Sequence, residues 1–132
     1  MRRKKILFCL CLVFASCQPT THTSFVKRSD AIVEKMCMVL SKVDNPQDFH
    51  YLEELKPLYL EMAKLLILSL QVEEKKPEIF SVEIIEAPHA EALKKEMMRI
   101  YEMEGGRSSI ENAARDALIL MQKSPYSGFK ML

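Results

Sequence analysis

Apolar residues recur at a helical period through most of this chain. Phe25, Ile32, Met36, Val39, Leu40 and Val43 fall at offsets of 0, 7, 11, 14, 15 and 18, one face of a helix. Val26, Val33 and Cys37 lie beside that stripe and widen it. The spacing predicts a first helix over residues 25–43, with Ser24 or Ser29 as its N-cap. Asp44-Asn45-Pro46 marks a boundary, because Asn45 can cap and Pro46 suits a first helical position, where its missing N–H costs nothing. A second helix is predicted over residues 46–73, kinked or broken at Pro57, which cannot donate to the carbonyl of Glu53. Within it, residues 65–70 read Leu-Leu-Ile-Leu-Ser-Leu and are apolar on every side. Such a stretch is either central in a bundle or covered by a partner.

Residues 73–78 are a charged, Pro-containing linker. In residues 79–86, Phe80, Val82 and Ile84 alternate with Ser81 and Glu83, a strand pattern. No second strand candidate exists to pair with it, and a lone strand would leave its backbone groups unpaired, so a short helix is expected there. Pro88 opens a further helix to about residue 104, with Leu93, Met97, Ile100, Tyr101 and Met103 near one face and Lys94, Lys95 and Arg99 covering the other. Gly105-Gly106 is expected to end it in a left-handed cap. Ser108 and Glu111 have capping-box spacing and are expected to start a last helix running to residue 123. Ile110, Ala114, Ala117, Leu118 and Met121 make its stripe, Ser124-Pro125 stops it, and the apolar tail over residues 129–132 is expected to dock. The expected fold is therefore all-α, a small bundle of four to five helices over residues 25–132. A chain with Gly 3 and Trp 0, rich in Leu, Met, Glu, Lys and Ala, agrees with it.

The first seventeen residues follow a different rule. Arg2, Arg3, Lys4 and Lys5 precede an uncharged apolar run over residues 6–15, then Ser16 and Cys17. Basic, apolar, then small is the order of a secretory signal peptide. The run is about ten residues, against the ~20 that a spanning helix needs. Phe14-Ala15-Ser16-Cys17 resembles the lipobox of bacterial lipoproteins, with Phe14 where Leu or Val is usual. In that class the cysteine carries diacylglycerol, the chain is cut before it, and its new amine can be acylated. The resemblance implies a signal peptide over residues 1–16 and lipidation of Cys17; the residues that follow, to about Ser24, are polar, contain Pro19 and lack apolar periodicity, so residues 17–24 are read as the lipidated cysteine and a short tether. The resemblance also implies a membrane partner through the lipid and a place in the cell envelope. An Asp after the cysteine resembles an inner-membrane retention signal in many two-membrane bacteria; Gln18 stands there instead, which favours the outer membrane.

Cleavage changes the charge. The full chain has 19 basic and 18 acidic residues; loss of the four basic residues before Ile6 leaves 15 against 18, a net charge of −3. A slightly acidic domain is not built to bind nucleic acid. Of four cysteines, Cys9 and Cys11 leave with the signal peptide and Cys17 takes lipid, so Cys37 stands alone and no internal disulfide is expected.

Chemical motifs are sparse. Glu86-Ala87-Pro88-His89 has the Glu-x-x-His spacing of di-iron bundles, but Pro88 separates its two ligands onto different segments. Met36-Cys37-Met38 offers soft sulfur to Cu(I), yet two methionines two residues apart on a helix point in roughly opposite directions. No nucleophile elbow, phosphate loop or zinc signature occurs, so neither enzyme activity nor a cofactor is expected. The leading expectation is a non-catalytic, lipid-anchored helical module that binds another envelope protein or itself, with Leu65 and Leu68 on the partner face. The alternative is a small-ligand or metal carrier using a cavity between helices.

Overall fold

The computed structural model describes residues 21–76 and 87–126, and among these every regular element is helical. Helix α1 spans His22–Leu40, a 3-10 helix spans Pro46–Glu54, and α2 spans Leu55–Lys75. Helices α3, Ala90–Tyr101, and α4, Gly106–Lys123, complete the order. The chain is an all-α bundle. The expected elements over residues 79–86 and 129–132 lie outside the described residues.

α1 starts three residues earlier than its apolar stripe indicates. Thr21 Oγ1 accepts the Ser24 N–H at 3.1 Å, so Thr21 is the N-cap and Ser24 already lies in the first turn. Ser29 is no cap either; its hydroxyl donates to the Val26 carbonyl at 3.0 Å. The stripe itself is buried as spaced: Phe25, Ile32, Met36, Val39 and Leu40 all face the core, and Val43 joins them just past the helix end.

Asn45 caps the next segment by accepting the Gln47 N–H at 3.0 Å, with Pro46 at the first position. That segment is 3-10 rather than α, and the handover to α2 falls between Glu54 and Leu55. Pro57 therefore sits in the first turn of α2, where its missing N–H has no intrahelical partner to lose, and the break precedes it by two residues. Leu52 and Leu55, three apart across the handover, are both fully buried.

The expected capping box at Ser108 and Glu111 does not form. α4 already begins at Gly106, with Gly105 as its N-cap at φ 79°, so Ser108 lies inside the first turn. The cause is a close approach: a Cβ on Gly106 would come within 1.9 Å of the Ile100 carbonyl oxygen. Only glycine lets the end of α3 fold this tightly onto the start of α4.

Ile32, Leu40, Val43, Leu52, Leu55 and Ile100 are the largest fully buried side chains, and no polar or charged side chain among the described residues is buried. α2 packs on α4 and on α1, and α3 packs on α1. At a few kcal/mol for each fully buried aliphatic side chain, this cluster is the main source of stability.

Candidate functional site

Two seams meet on α1, and they differ in chemistry. The first lies between the N-terminal half of α1 and the middle of α2. It gapes into an open cleft of about 320 Å³ walled by Phe25 and Val26 on one side and Met62, Leu65 and Leu66 on the other. His22 stands at its α1 end, and Ser29 and Ser69 complete the lining. No acidic or basic side chain other than the His22 imidazole contributes. The Ser69 hydroxyl donates to the Leu66 carbonyl at 2.7 Å, and that of Ser29 donates to Val26, so both are turned back onto their own helices. The walls are in effect hydrocarbon.

The second seam joins α1 to α3 and is polar. Arg99 places one guanidinium nitrogen 2.6 Å from the Val43 carbonyl and the other 2.8 Å from that of Leu40, while Glu96 holds it from behind at 2.7 Å. α1 has no basic residue in its own last turn, so Arg99 supplies from α3 the cation its carbonyl end favours. Arg99 is thus half-buried against α1, not part of a purely solvated face with Lys94 and Lys95. Near the middle of α1, Asp30 receives both the His89 backbone N–H at 3.1 Å and the ring Nδ1 at 2.6 Å. The bond to Asp30 raises the His89 pKa above its ordinary value, and the same bond to His89 lowers that of Asp30. Glu34 lies 3.9 Å from the other ring nitrogen.

Cys37 sits half-buried beside this seam, its sulfur 3.9 Å from the His89 carbonyl oxygen. Burial pushes the thiol pKa up, and the carboxylates of Glu96, Asp30 and Glu34 add to the effect, so the group stays protonated at neutral pH. Met36 is buried in the core while Met38 is 62% exposed, so the Met-Cys-Met run offers no convergent sulfur set. Glu86 lies outside the described residues, and His89 is engaged by Asp30. Among the described residues no three His, Cys, Asp or Glu side chains are grouped to hold a metal ion. Tyr59, packed against the core, has its hydroxyl pushed up to about 12 by burial and the nearby Tyr101.

A third surface is the outer side of α4. Leu118 and Ile119 are 48% and 40% exposed there, among Ser108, Glu111, Asn112, Arg115 and Gln122. Of the residues expected on a partner face, Leu65 is 8% exposed and belongs to the core while also forming the floor of the α1–α2 cleft. Leu68 is half-buried and packs on the core. Leu66, Ile67 and Leu70 are half-buried too, so the apolar stretch is shared between the interior and the surface. Cys17 lies outside the described residues, and no helix among those described is long and apolar enough to cross a membrane.

Sequence reading did not single out Met62, Asp30 or the role of Arg99. Met62 sits at the i−3 and i−4 positions from Leu65 and Leu66, a signal that was present in the periodicity. Asp30 and His89 are 59 positions apart, and Arg99 is 56 from Val43, so no local pattern marks them. No family model, curated protein or solved structure matches this chain.

Proposed function

We propose that this protein is an envelope lipoprotein, anchored through Cys17, whose helical domain is a non-catalytic docking module for another envelope protein or a second copy of itself. The observation that carries the docking reading is the exposed apolar pair Leu118 and Ile119, side by side on α4 within a polar surround. An apolar patch rimmed by polar residues is the ordinary form of a protein contact surface. The anchor reading is supported by the order of residues 1–17 and by a helical domain that begins at His22, close behind Cys17.

The test is crosslinking in the native envelope followed by mass spectrometry, with wild type and Leu118→Glu compared. Under this reading a defined adduct forms with wild type and is lost in the variant, while helical circular dichroism is unchanged. Failure to recover any adduct from either chain contradicts it.

The α1–α2 cleft favours a second reading, a small-ligand carrier. Its volume of about 320 Å³ falls at the lower end of the ~300–1,000 Å³ typical of ligand pockets. Retention of an apolar compound through purification, released by denaturation and identified by mass spectrometry, separates this reading from the first.

A further inference from the structure

We propose that the α1–α2 cleft takes one acyl chain of the lipid carried by Cys17. This rests on the reading of Cys17 as lipidated.

Four observations point to a hydrocarbon chain, and to this one. First, the walls are mainly apolar, with the His22 imidazole at one end. The hydroxyls of Ser29 and Ser69 are already bonded to the carbonyls of Val26 and Leu66, and no carboxylate, ammonium or guanidinium lines the cleft. A peptide laid there would bring backbone N–H and C=O groups that find few partners, a costly burial. A saturated chain brings none.

Second, the shape is linear. Met62, Leu65, Leu66 and Ser69 follow one another along a single face of α2, seven steps or ~10 Å of helix, and the α1 wall runs beside them. The volume suits part of one chain and not a whole lipid. Met62 supplies an unbranched, adaptable wall.

Third, the tether arrives at this place. His22 is both the first residue of α1 and part of the cleft lining. Cys17 precedes it by five residues, which span at most ~18 Å even when fully extended. The lipid is thus attached within ~18 Å of the α1 end of this cleft, whereas the clefts beside Cys37 and on the outer side of α4 include several charged side chains in their lining.

Fourth, membrane anchoring survives the withdrawal of one chain. Stable attachment takes two acyl chains. A cysteine carrying diacylglycerol and an acylated amine has three, so one can fold back while two remain in the bilayer. The consequence is orientation: the α1–α2 side is held towards the membrane.

The experiment uses the full chain in its native membrane. Cells are fed a fatty acid analogue bearing a diazirine, irradiated, and the purified protein is digested and mapped by mass spectrometry. The expected result is label on Cys17 together with photo-adducts at Val26, Met62 or Leu66 of the same polypeptide. Leu66→Glu, which places a charge on the wall, should keep the label on Cys17 and lose those adducts; Val26→Glu on the opposite wall should do the same. Label on Cys17 of wild type with adducts only to phospholipid overturns the inference and leaves the anchor standing. Absence of label from Cys17 overturns the anchor, and the inference with it.

Discussion

The two ends of α1 are held in different ways. At its C-terminal end, Arg99 bonds the Leu40 and Val43 carbonyls, Ile100 fills the space beneath, and Gly106 brings α4 in against the Ile100 backbone. The contacts named there combine a fully buried side chain with directional hydrogen bonds. At its N-terminal end, α1 meets α2 through Phe25, Val26, Met62 and Leu66 with an open furrow between them. The side chains that line this furrow are mainly apolar, and contacts of that kind do not fix one geometry as hydrogen bonds do. A bundle can thus keep a rigid half for stability and an adaptable half for an apolar guest.

The strongest way to break this contrast is to empty the rigid end. Ile100→Ala should cost about 2–5 kcal/mol, because the side chain is fully buried and the space cannot collapse around a glycine-tight backbone. Leu66→Ala at the cleft removes a half-buried side chain from an already open wall, and urea denaturation should show a clearly smaller loss. Equal losses at the two positions would show that the ends are not different in kind.

Gly106→Ala comes next. The added methyl must displace the Ile100 carbonyl, so a loss of about 1–3 kcal/mol is expected from thermal or urea unfolding. Gly105→Ala meets only ordinary contact with Phe49 but must hold φ 79°, so it too should destabilise, through backbone strain. Arg99→Met removes the donors from two α1 carbonyls while keeping an apolar stem. As Arg99 remains 37% exposed, the loss should be about 1–2 kcal/mol, less than for a fully buried charge-assisted pair.

How much of this was legible follows from the range of each cause. The buried stripe of α1, the Asn45 cap with Pro46, and the stop at Ser124 are set by residues a few positions apart, and the periodicity shows them. The capping box at Ser108 and Glu111 was outranked by the contact between Gly106 and Ile100, which involves another helix. Arg99 looked solvated because three lysines and arginines share that side of α3, and nothing local says which one finds α1. The stretch over residues 65–70 was legible as needing cover on every side. That Leu65 would be core while Leu66 walls a cleft depends on where α1 starts, and so on Thr21.

The smallest effect expected is the pH response of the α1–α3 seam. His89 gains proton affinity from Asp30, so its contribution is complete below the ordinary imidazole value of 6.5 and is lost as pH rises through the raised folded value. Asp30 loses proton affinity to His89, so its contribution is complete above 3.8 and is lost as pH falls through the lowered folded value. The difference in urea midpoint between wild type and His89→Gln should therefore be greatest between these two values and shrink on either side. The ring is 36% exposed and the carboxylate 15%, so solvent screening keeps it small. The same titration applied to Leu66→Ala should show no such window, which sharpens the contrast between a polar seam and an apolar one.

The claim on which the functional account stands is that the open end of the bundle follows a lipidated Cys17. Metabolic labelling with an acyl probe, combined with membrane fractionation of wild type and Cys17→Ala, tests it most directly. The account predicts labelled wild type in the membrane fraction and an unlabelled, released variant. Unlabelled wild type, or a Cys17→Ala chain that stays with the membrane, would contradict it.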